Sequence, residues 1–348
     1  ALPGLAIHTR QLDLARATLL TLASELKDGL IPVRWTETNG APEYDSADTS
    51  LWFFWAVWHY WRVSRDLRFV AKRLLDPLRE IMEGYLEGTK FGIVMDDDGL
   101  IRLSDREKAL TWMDARLPAA GTASGPAVTP RWGKPVEVNA LWYGALTLMS
   151  QLADRLGFKQ ATHYDRLARL VGQNFVRTFY GRGGFLFDRV TEEGPDASIR
   201  PNMLIAVGLP LSPLSRAQGL RVLEVAEKHL LTPAGLRTLS PEDPNYRGRW
   251  ERAPREQALA AHQGTVWSWL TGSYVSAVCG VRGLTRSTQT ALARQLKPAL
   301  AQLEGGCLGT LGESFDGDPP HQARGRVSQA ISVGEFLRAV REARLGGL

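Results

Sequence analysis

Cysteine is nearly absent from this chain, with only Cys279 and Cys307 in 348 residues. Two thiols exclude a dense disulfide framework, and with six scattered histidines they supply no zinc-ligand spacing. Long apolar runs are missing too. The longest aromatic-apolar stretch, 51–58, is far short of the roughly 20 residues that span a bilayer. No secretory signal is visible, and the chain does not open on Met, so its start reads as a processing or boundary point. Phosphate chemistry has no foothold: there is no P-loop, no dinucleotide fingerprint and no arginine clamp. A G-x-S-x-G nucleophile elbow is also missing. Neither sign of charge dominates, with 42 basic and 37 acidic residues giving +5. The modest basic cluster Arg62, Arg65, Arg68, Lys72 and Arg73 fits a solvated helix face better than a nucleic-acid surface.

What remains is a globular composition, 44% hydrophobic and 23% charged, long enough to bury a large core. Eleven tryptophans stand out, many beside polar residues. Helical periodicity dominates and predicts amphipathic helices near 11–26, 47–64, 67–86, 138–157, 159–178, 200–208, 213–229, 264–281, 286–303 and 325–343. Asp66 and Ser212-Pro213 read as helix starts, Gly157 and Gly283 as helix ends. Short links near 65–66, 158, 209–212 and 282–285 alternate with long ones at 27–46, 87–137, 179–199, 230–263 and 304–324. In a ring of helical hairpins alternate connections emerge at one end, so the long loops would crowd one face and build a pocket there. The expected fold is all-α, an (α/α)6 barrel forming a single domain over 1–348. Small β-hairpins are expected in its long loops, at 92–103 around Asp98-Gly99 and at 183–190. Ten helices and the apolar stub 1–8 fall one short of six hairpins. The reading is of a fragment lacking part of its first helix.

The unusual residues lie in the long loops. TWMDA (111–115) sets Asp114 two positions after Trp112, and LGESFDGDPPH (311–321) carries Glu313, Asp316 and Asp318. Glycoside hydrolysis needs one protonated carboxyl at the leaving oxygen and one ionised carboxyl opposite it. An aromatic wall such as Trp112 desolvates an acid and raises its pKa. Ordinary turn-forming acids fit the same spacing, since Asp-Gly is a common turn signal. Trp52, Trp55, Trp58 and Trp61, recurring every third residue, read as core or helix packing. Asp48 reads equally as a helix cap or a sugar ligand. Asn139, Trp142 and Tyr143 share a helical face that suits either a sugar or a satisfied core stripe. Arg200 and Asn202 open an otherwise apolar helix, and His262 and Gln263 stand just before another.

Taken in order, YDSADTSLWFFWAVWHY (44–60), TWMDA, GKPVEVNALWY (133–143), RPNMLIAVGLP (200–210), GLRTLSPEDPNYRGRW (235–250), AAHQGTVWSWLTGSY (260–274) and LGESFDGDPPHQARGRVSQAISVGEFLR (311–338) resemble the C-terminal domain of glycogen debranching enzymes. The resemblance covers essentially the whole chain. It implies an (α/α)6 barrel related to glucoamylase, acting as a hydrolase on α-1,6-linked glucose with inversion. Asp114 would be the general acid and Glu313 the base activating water. Asp48, Trp112, Glu137, Asn139, Trp142, Arg200, Asn202, Arg237, His262, Gln263 and Trp267 would line the glucose subsite.

The resemblance implies a branched α-glucan as partner, glycogen or a limit dextrin, with neither nucleic acid nor membrane. It implies no metal and no organic cofactor, a cytoplasmic setting, and an N-terminal β-rich domain in the full-length protein. One departure stands out. Family members carry a Trp-Gly-Arg-Asp-type motif ahead of the segment matching ALPGLA, where this chain begins, so reduced activity is expected of these residues alone. The competing readings are another inverting α-glucosidase, of glucoamylase or trehalase type, or a non-catalytic glucan-binding fragment.

Overall fold

A computed structural model describes residues 1–119, 125–305 and 309–346; Cys307 lies outside them. The helices are α1 (Leu12–Ser24), α2 (Thr49–Ser64), α3 (Leu67–Phe69), α4 (Leu75–Glu87), α5 (Val136–Arg155) and α6 (Ala161–Phe179). They continue with α7 (Asn202–Gly208), α8 (Arg216–His229), α9 (Pro254–Ala261), α10 (Leu270–Arg282), α11 (Arg286–Glu304) and α12 (Ala330–Glu342). A wide helical turn at Val70–Leu74 joins α3 to α4, and another at Pro3–Ile7 forms the apolar stub. The strands are two or three residues long and form small antiparallel sheets, so the protein is helix-rich with minor β decoration.

Composition decides which helices lie inside. A helix apolar on all sides must be surrounded by protein, whereas one with a polar stripe can face water. In α2 the run TSLWFFWAVWHYW buries Leu51, Phe53, Phe54, Ala56, Val57, His59 and Tyr60, and α7 is buried at every position. Helices α5 and α10 are buried over most of their surface. By contrast α4, α6 and α11 bury only a stripe, such as Ala168, Val171, Phe175 and Phe179 of α6.

The buried helices are mutual neighbours: α2 packs on α5, α5 on α7, α7 on α10 and α10 on α12. The Pro3–Ile7 turn packs on both α12 and α2, closing the circuit. Its approach to α12 is backbone to backbone, since a Cβ on Gly4 would fall 1.6 Å from the Gly334 carbonyl oxygen. Helix α1 flanks α2, α6 flanks α5, α8 flanks α7 and α10, and α11 flanks α10.

Most of the expected helices are present, with instructive differences at their starts. Asp66 caps α3 by accepting from Phe69 N, and Gly157 and Gly283 follow α5 and α10 with positive φ. Helix α8 starts at Arg216 rather than 213, because Ser215 and Gln218 form a reciprocal capping box there. Helices α10 and α12 start later than periodicity predicts, since the residues ahead of them are drawn into a sheet. In that sheet Val266–Trp267 pairs with Ser314–Phe315, and Ser314–Phe315 with Ala323–Arg324. The hairpin around Asp98-Gly99 forms as expected between Ile93–Met95 and Ile101–Leu103. The second hairpin instead pairs Arg189–Thr191 with Gly194–Asp196, displaced from 183–190. Helix α9 lies inside a segment expected to be loop, with proline at its start.

Candidate active site

A cavity of about 610 Å³ opens where the long connections meet. Its walls come from the α1–α2 connection (Ile31, Val33, Arg34, Asp45, Ser46, Asp48), the α4–α5 connection (Thr111, Trp112, Asp114), the approach to α10 (Trp267, Trp269) and the approach to α12 (Glu313, Arg326, Gln329). Trp52 and Trp55 of α2, Glu335 of α12 and the residues Ala1 to Pro3 add to it. Two of the four tryptophans that the sequence assigns to helix packing, Trp52 and Trp55, therefore also face this space, and Trp58 and Trp61 do not line it. Trp52 meets Trp55 and Trp269 edge-on, and Trp112 meets Trp269 edge-on, with centroids 5.0–6.4 Å apart.

Asp114 and Glu313, nearly 200 positions apart in sequence, both line this cavity. The Asp114 carboxyl is the more open, with 58% of its side chain exposed. Its Oδ1 lies 3.7 Å from His262 Nε2. Burial pushes the His262 imidazole below its ordinary pKa, with Asp114 opposing the shift. His262 stacks on Trp267, meets Trp112 edge-on, and has a buried Nδ1 without a hydrogen-bond partner.

Glu313 is held tightly. Arg326 N donates to Oε2 at 2.8 Å, while Gln329 Nε2 and Arg326 Nη1 donate to Oε1 at 2.8 and 3.3 Å. Ser332 Oγ donates to Gln329 Oε1, which leaves the amide nitrogen facing Glu313. The three-stranded sheet sets the backbone: Ser268 N donates to Glu313 O, and Glu313 N donates to Arg326 O. Gly325 makes this fit possible. Its φ is +67°, and a Cβ there would lie 2.2 Å from Glu313 Oε2.

Asp48 is buried at the cavity wall. It does not cap α2 with its side chain; Ser46 Oγ accepts from Thr49 N instead. The Asp48 carboxylate accepts from Ser46 Oγ and from Trp112 N, tying the start of α2 to the segment carrying Asp114. Burial raises its pKa, partly offset by these donors.

Of the remaining residues expected to line a subsite, only Trp112 and Trp267 border the cavity with Asp48. Glu137, Asn139, Trp142, Arg200, Asn202, Arg237, His262 and Gln263 do not. Most of their polar atoms are engaged within the protein; His262 is the exception, its Nδ1 unpartnered and its ring packed against Trp267 and Trp112. Asn139 accepts from Ile101 N and donates to Ile101 O and Pro135 O, fastening the hairpin to α5. Trp142 donates to Gly99 O and stacks on Tyr85. Tyr143 lies against Gly172 of α6. Glu137 and Asp188 enclose Arg131, a residue that helical periodicity does not single out. Asn202 donates to Asp188 and accepts from Trp112 Nε1, so it supports Trp112 from behind. Arg200 donates to Thr238 O, His262 O and Gln263 Oε1, and Arg237 donates to Gly317 O. These groups form a shell around the cavity rather than its surface.

Sequence reasoning passed over Arg34, Asp45, Arg326, Gln329 and Glu335, all of which line the cavity. Arg326 and Gln329 sit within the stretch 311–338 that carries the resemblance, but spacing alone does not reveal that they turn back onto Glu313. Among the described residues, no group of three or more His, Cys, Asp or Glu is placed to hold a metal ion. No helix among them is long and apolar enough to cross a membrane.

The glycogen debranching enzyme of Saccharomyces cerevisiae (strain ATCC 204508 / S288c) is 25% identical to this chain over 362 aligned positions. The alignment takes in 80% of the chain and 23% of the yeast protein, so the chain spans less than a quarter of that relative. The sequence profile of the family described as amylo-alpha-1,6-glucosidase matches residues 1–338. The chain belongs to that family.

Proposed function

We propose that residues 1–348 form one (α/α)6 catalytic domain that hydrolyses α-1,6-linked glucose at the branch points of an α-glucan, with inversion. The observation that carries this reading is the meeting of Asp114 and Glu313 in one tryptophan-lined cavity. The closed circuit of inner helices, flanked by outer ones, supports the barrel. In the proposed reaction Asp114, the more accessible carboxyl, donates its proton to the oxygen linking the terminal glucose to the chain. Glu313 takes a proton from a water, which attacks the anomeric carbon from the opposite face. The donor set on Glu313 suits this role. Oε2 accepts one bond from Arg326 N, leaving an acceptor position for a water to donate into. Asp48 and the indoles of Trp112 and Trp267 are assigned to the glucose ring, by hydroxyl contact and stacking. A glycogen or limit-dextrin substrate would set the reaction in the cytoplasm.

The test uses the full-length protein with Asp114→Asn and Glu313→Gln, assayed on limit dextrin and on α-glucosyl fluoride. Each change keeps size and removes proton transfer, so each should lose about 10²–10⁴-fold on the branch. Fluoride leaves with little help from an acid, so it should partly rescue Asp114→Asn but not Glu313→Gln. Rescue of Glu313→Gln in preference would reverse the two roles, and wild-type rates in both would remove them. Glucose release from maltose or trehalose in place of the branch would redirect the substrate assignment.

A further inference from the structure

The connection between α1 and α2 makes a short hairpin, with Arg34 paired to Glu43 and Trp35 to Pro42. This hairpin borders the cavity: Val33 and Arg34 line it on the outgoing strand, and Asp45, Ser46 and Asp48 on the return. It is braced. The Arg34 guanidinium bonds Glu43 and lies 3.4 Å from Asp45, while Tyr44 Oη donates to Glu25 O. The tip is closed by Thr36 N donating to Ala41 O and by Ala41 N donating to the Thr36 hydroxyl.

Against this bracing, Trp35 is left in water. Among the described residues it is the one tryptophan classed as exposed, at 43%; the other ten are half-buried or buried. Two further exposed apolar side chains are associated with the cavity. Val33 is itself part of the wall at 37% exposure, and Val327, at 71%, directly follows Arg326. Leu14, Phe158, Leu170 and Leu284, the remaining large exposed apolar residues, lie on α1, α6 or helix-to-helix turns. Three of the seven thus belong to segments that border one opening. An indole held in water on a braced hairpin offers a flat apolar face to a ligand that has one of its own. A pyranose ring has such a face in its axial C–H groups, and its equatorial hydroxyls need polar partners; Arg34 and Asp45 line the cavity wall on the same connection.

We propose that Trp35 is the stacking platform of a second glucan subsite at the cavity mouth. It takes a glucose ring of the α-1,4-linked chain that bears the branch, and so favours polymeric over short substrates. This rests on the glucosidase reading of the cavity.

The test compares wild type, W35A and W35F on branched limit dextrin and on α-glucosyl fluoride, which has no sugar beyond the bond cleaved. Calorimetry with a linear maltooligosaccharide runs beside it, and thermal midpoints check folding. W35A should lose about tenfold in kcat/KM on limit dextrin relative to its value on fluoride, mostly through KM, and about tenfold in oligosaccharide affinity. W35F, which keeps a ring, should stay within about threefold. Limit-dextrin and oligosaccharide values for W35A within twofold of wild type would overturn the subsite while leaving the hydrolysis intact. Equal losses of W35A on fluoride and dextrin would also overturn it, placing Trp35 in the shape of the cavity. Wild-type protein that binds the oligosaccharide through Trp35 yet hydrolyses nothing would keep the subsite and sink the glucosidase reading.

Discussion

Arg131→Met probes the electrostatic shell that holds the cavity wall. Arg131 is 1% exposed and enclosed by two carboxylates. Its Nε donates to Glu137 Oε1 at 3.2 Å, Nη2 to Glu137 Oε2, Nη1 to Asp188 Oδ2, and Nη2 also to the Asp188 carbonyl at 3.3 Å. Methionine keeps much of the volume and removes every donor. Asp188 would retain Asn202 Nδ2 at 2.8 Å and Arg200 Nε at 3.6 Å, but Glu137 would lose its side-chain partners. Removing one member of a buried ion pair costs about 3–5 kcal/mol, because the other charge stays buried and unpaired. With about 2.1 cal/mol/K of unfolding entropy per residue, the midpoint of a chain this long should fall by about 4–7 °C. Adding Glu137→Gln to Arg131→Met removes the stranded charge and leaves a neutral amide, whose missing partners cost about 1–3 kcal/mol. The double variant should therefore recover about 2 kcal/mol. Urea and thermal unfolding of the four members of the cycle measure this directly. A midpoint for Arg131→Met within about 1 °C of wild type, or a double variant weaker than the single, would refute the reasoning.

Two further outcomes separate structure from substrate contact. Asn139→Leu removes three bonds to buried backbone groups at Ile101 and Pro135, so stability should drop by about 2–4 kcal/mol while KM for branched glucan stays put. A KM rise at unchanged stability would restore Asn139 to the sugar. Burial lifts the Glu137 carboxyl above its ordinary 4.5, with the Arg131 charge opposing it, so just above that pH the folded state keeps a proton that the unfolded chain has released. Its contribution to stability is full below about pH 4.5 and is lost as pH rises through the raised folded-state value. The stability difference between wild type and Glu137→Gln, read from urea midpoints at pH 4.5 and 8, should shrink accordingly; a constant difference would count against it.

Much of this architecture is legible in the linear pattern. Helices apolar on every side, such as the 202–208 segment, belong inside, and striped ones such as 161–179 belong outside, because water tolerates only the polar face. The alternation of short and long links anticipates that the long ones gather, and three of the five, 27–46, 87–137 and 304–324, do contribute to one cavity wall, while 179–199 and 230–263 do not. The errors fall where long-range pairing overrides local preference. Residues 264–269 and 325–329 carry helical periodicity, yet they flank strands or hold Glu313, because pairing 266–267 with 314–315 satisfies backbone groups that no local turn would.

Side-chain identity is less informative about which polar groups meet a ligand. Asn139, Asn202, Arg200 and His262 look like binding residues because polar side chains on apolar elements are unusual. Folding gives Asn139, Asn202 and Arg200 protein partners, since a buried polar group without a hydrogen bond is costly, while His262 is packed against Trp267 and Trp112. The residues that stayed open to the cavity, among them Asp48, Trp112, Asp114 and Glu313, are distinguished only by the direction they face. That direction is set by contacts between segments far apart in sequence: Asp48 with Trp112 N, and Glu313 with Arg326 and Gln329. By itself the sequence determined the helical class and the apolar faces of its helices, and the family resemblance singled out Asp114 and Glu313 as a candidate pair. Only the tertiary structure decided which polar groups line a cavity and which are consumed in holding it, because hydrogen-bond satisfaction depends on neighbours in space, not along the chain.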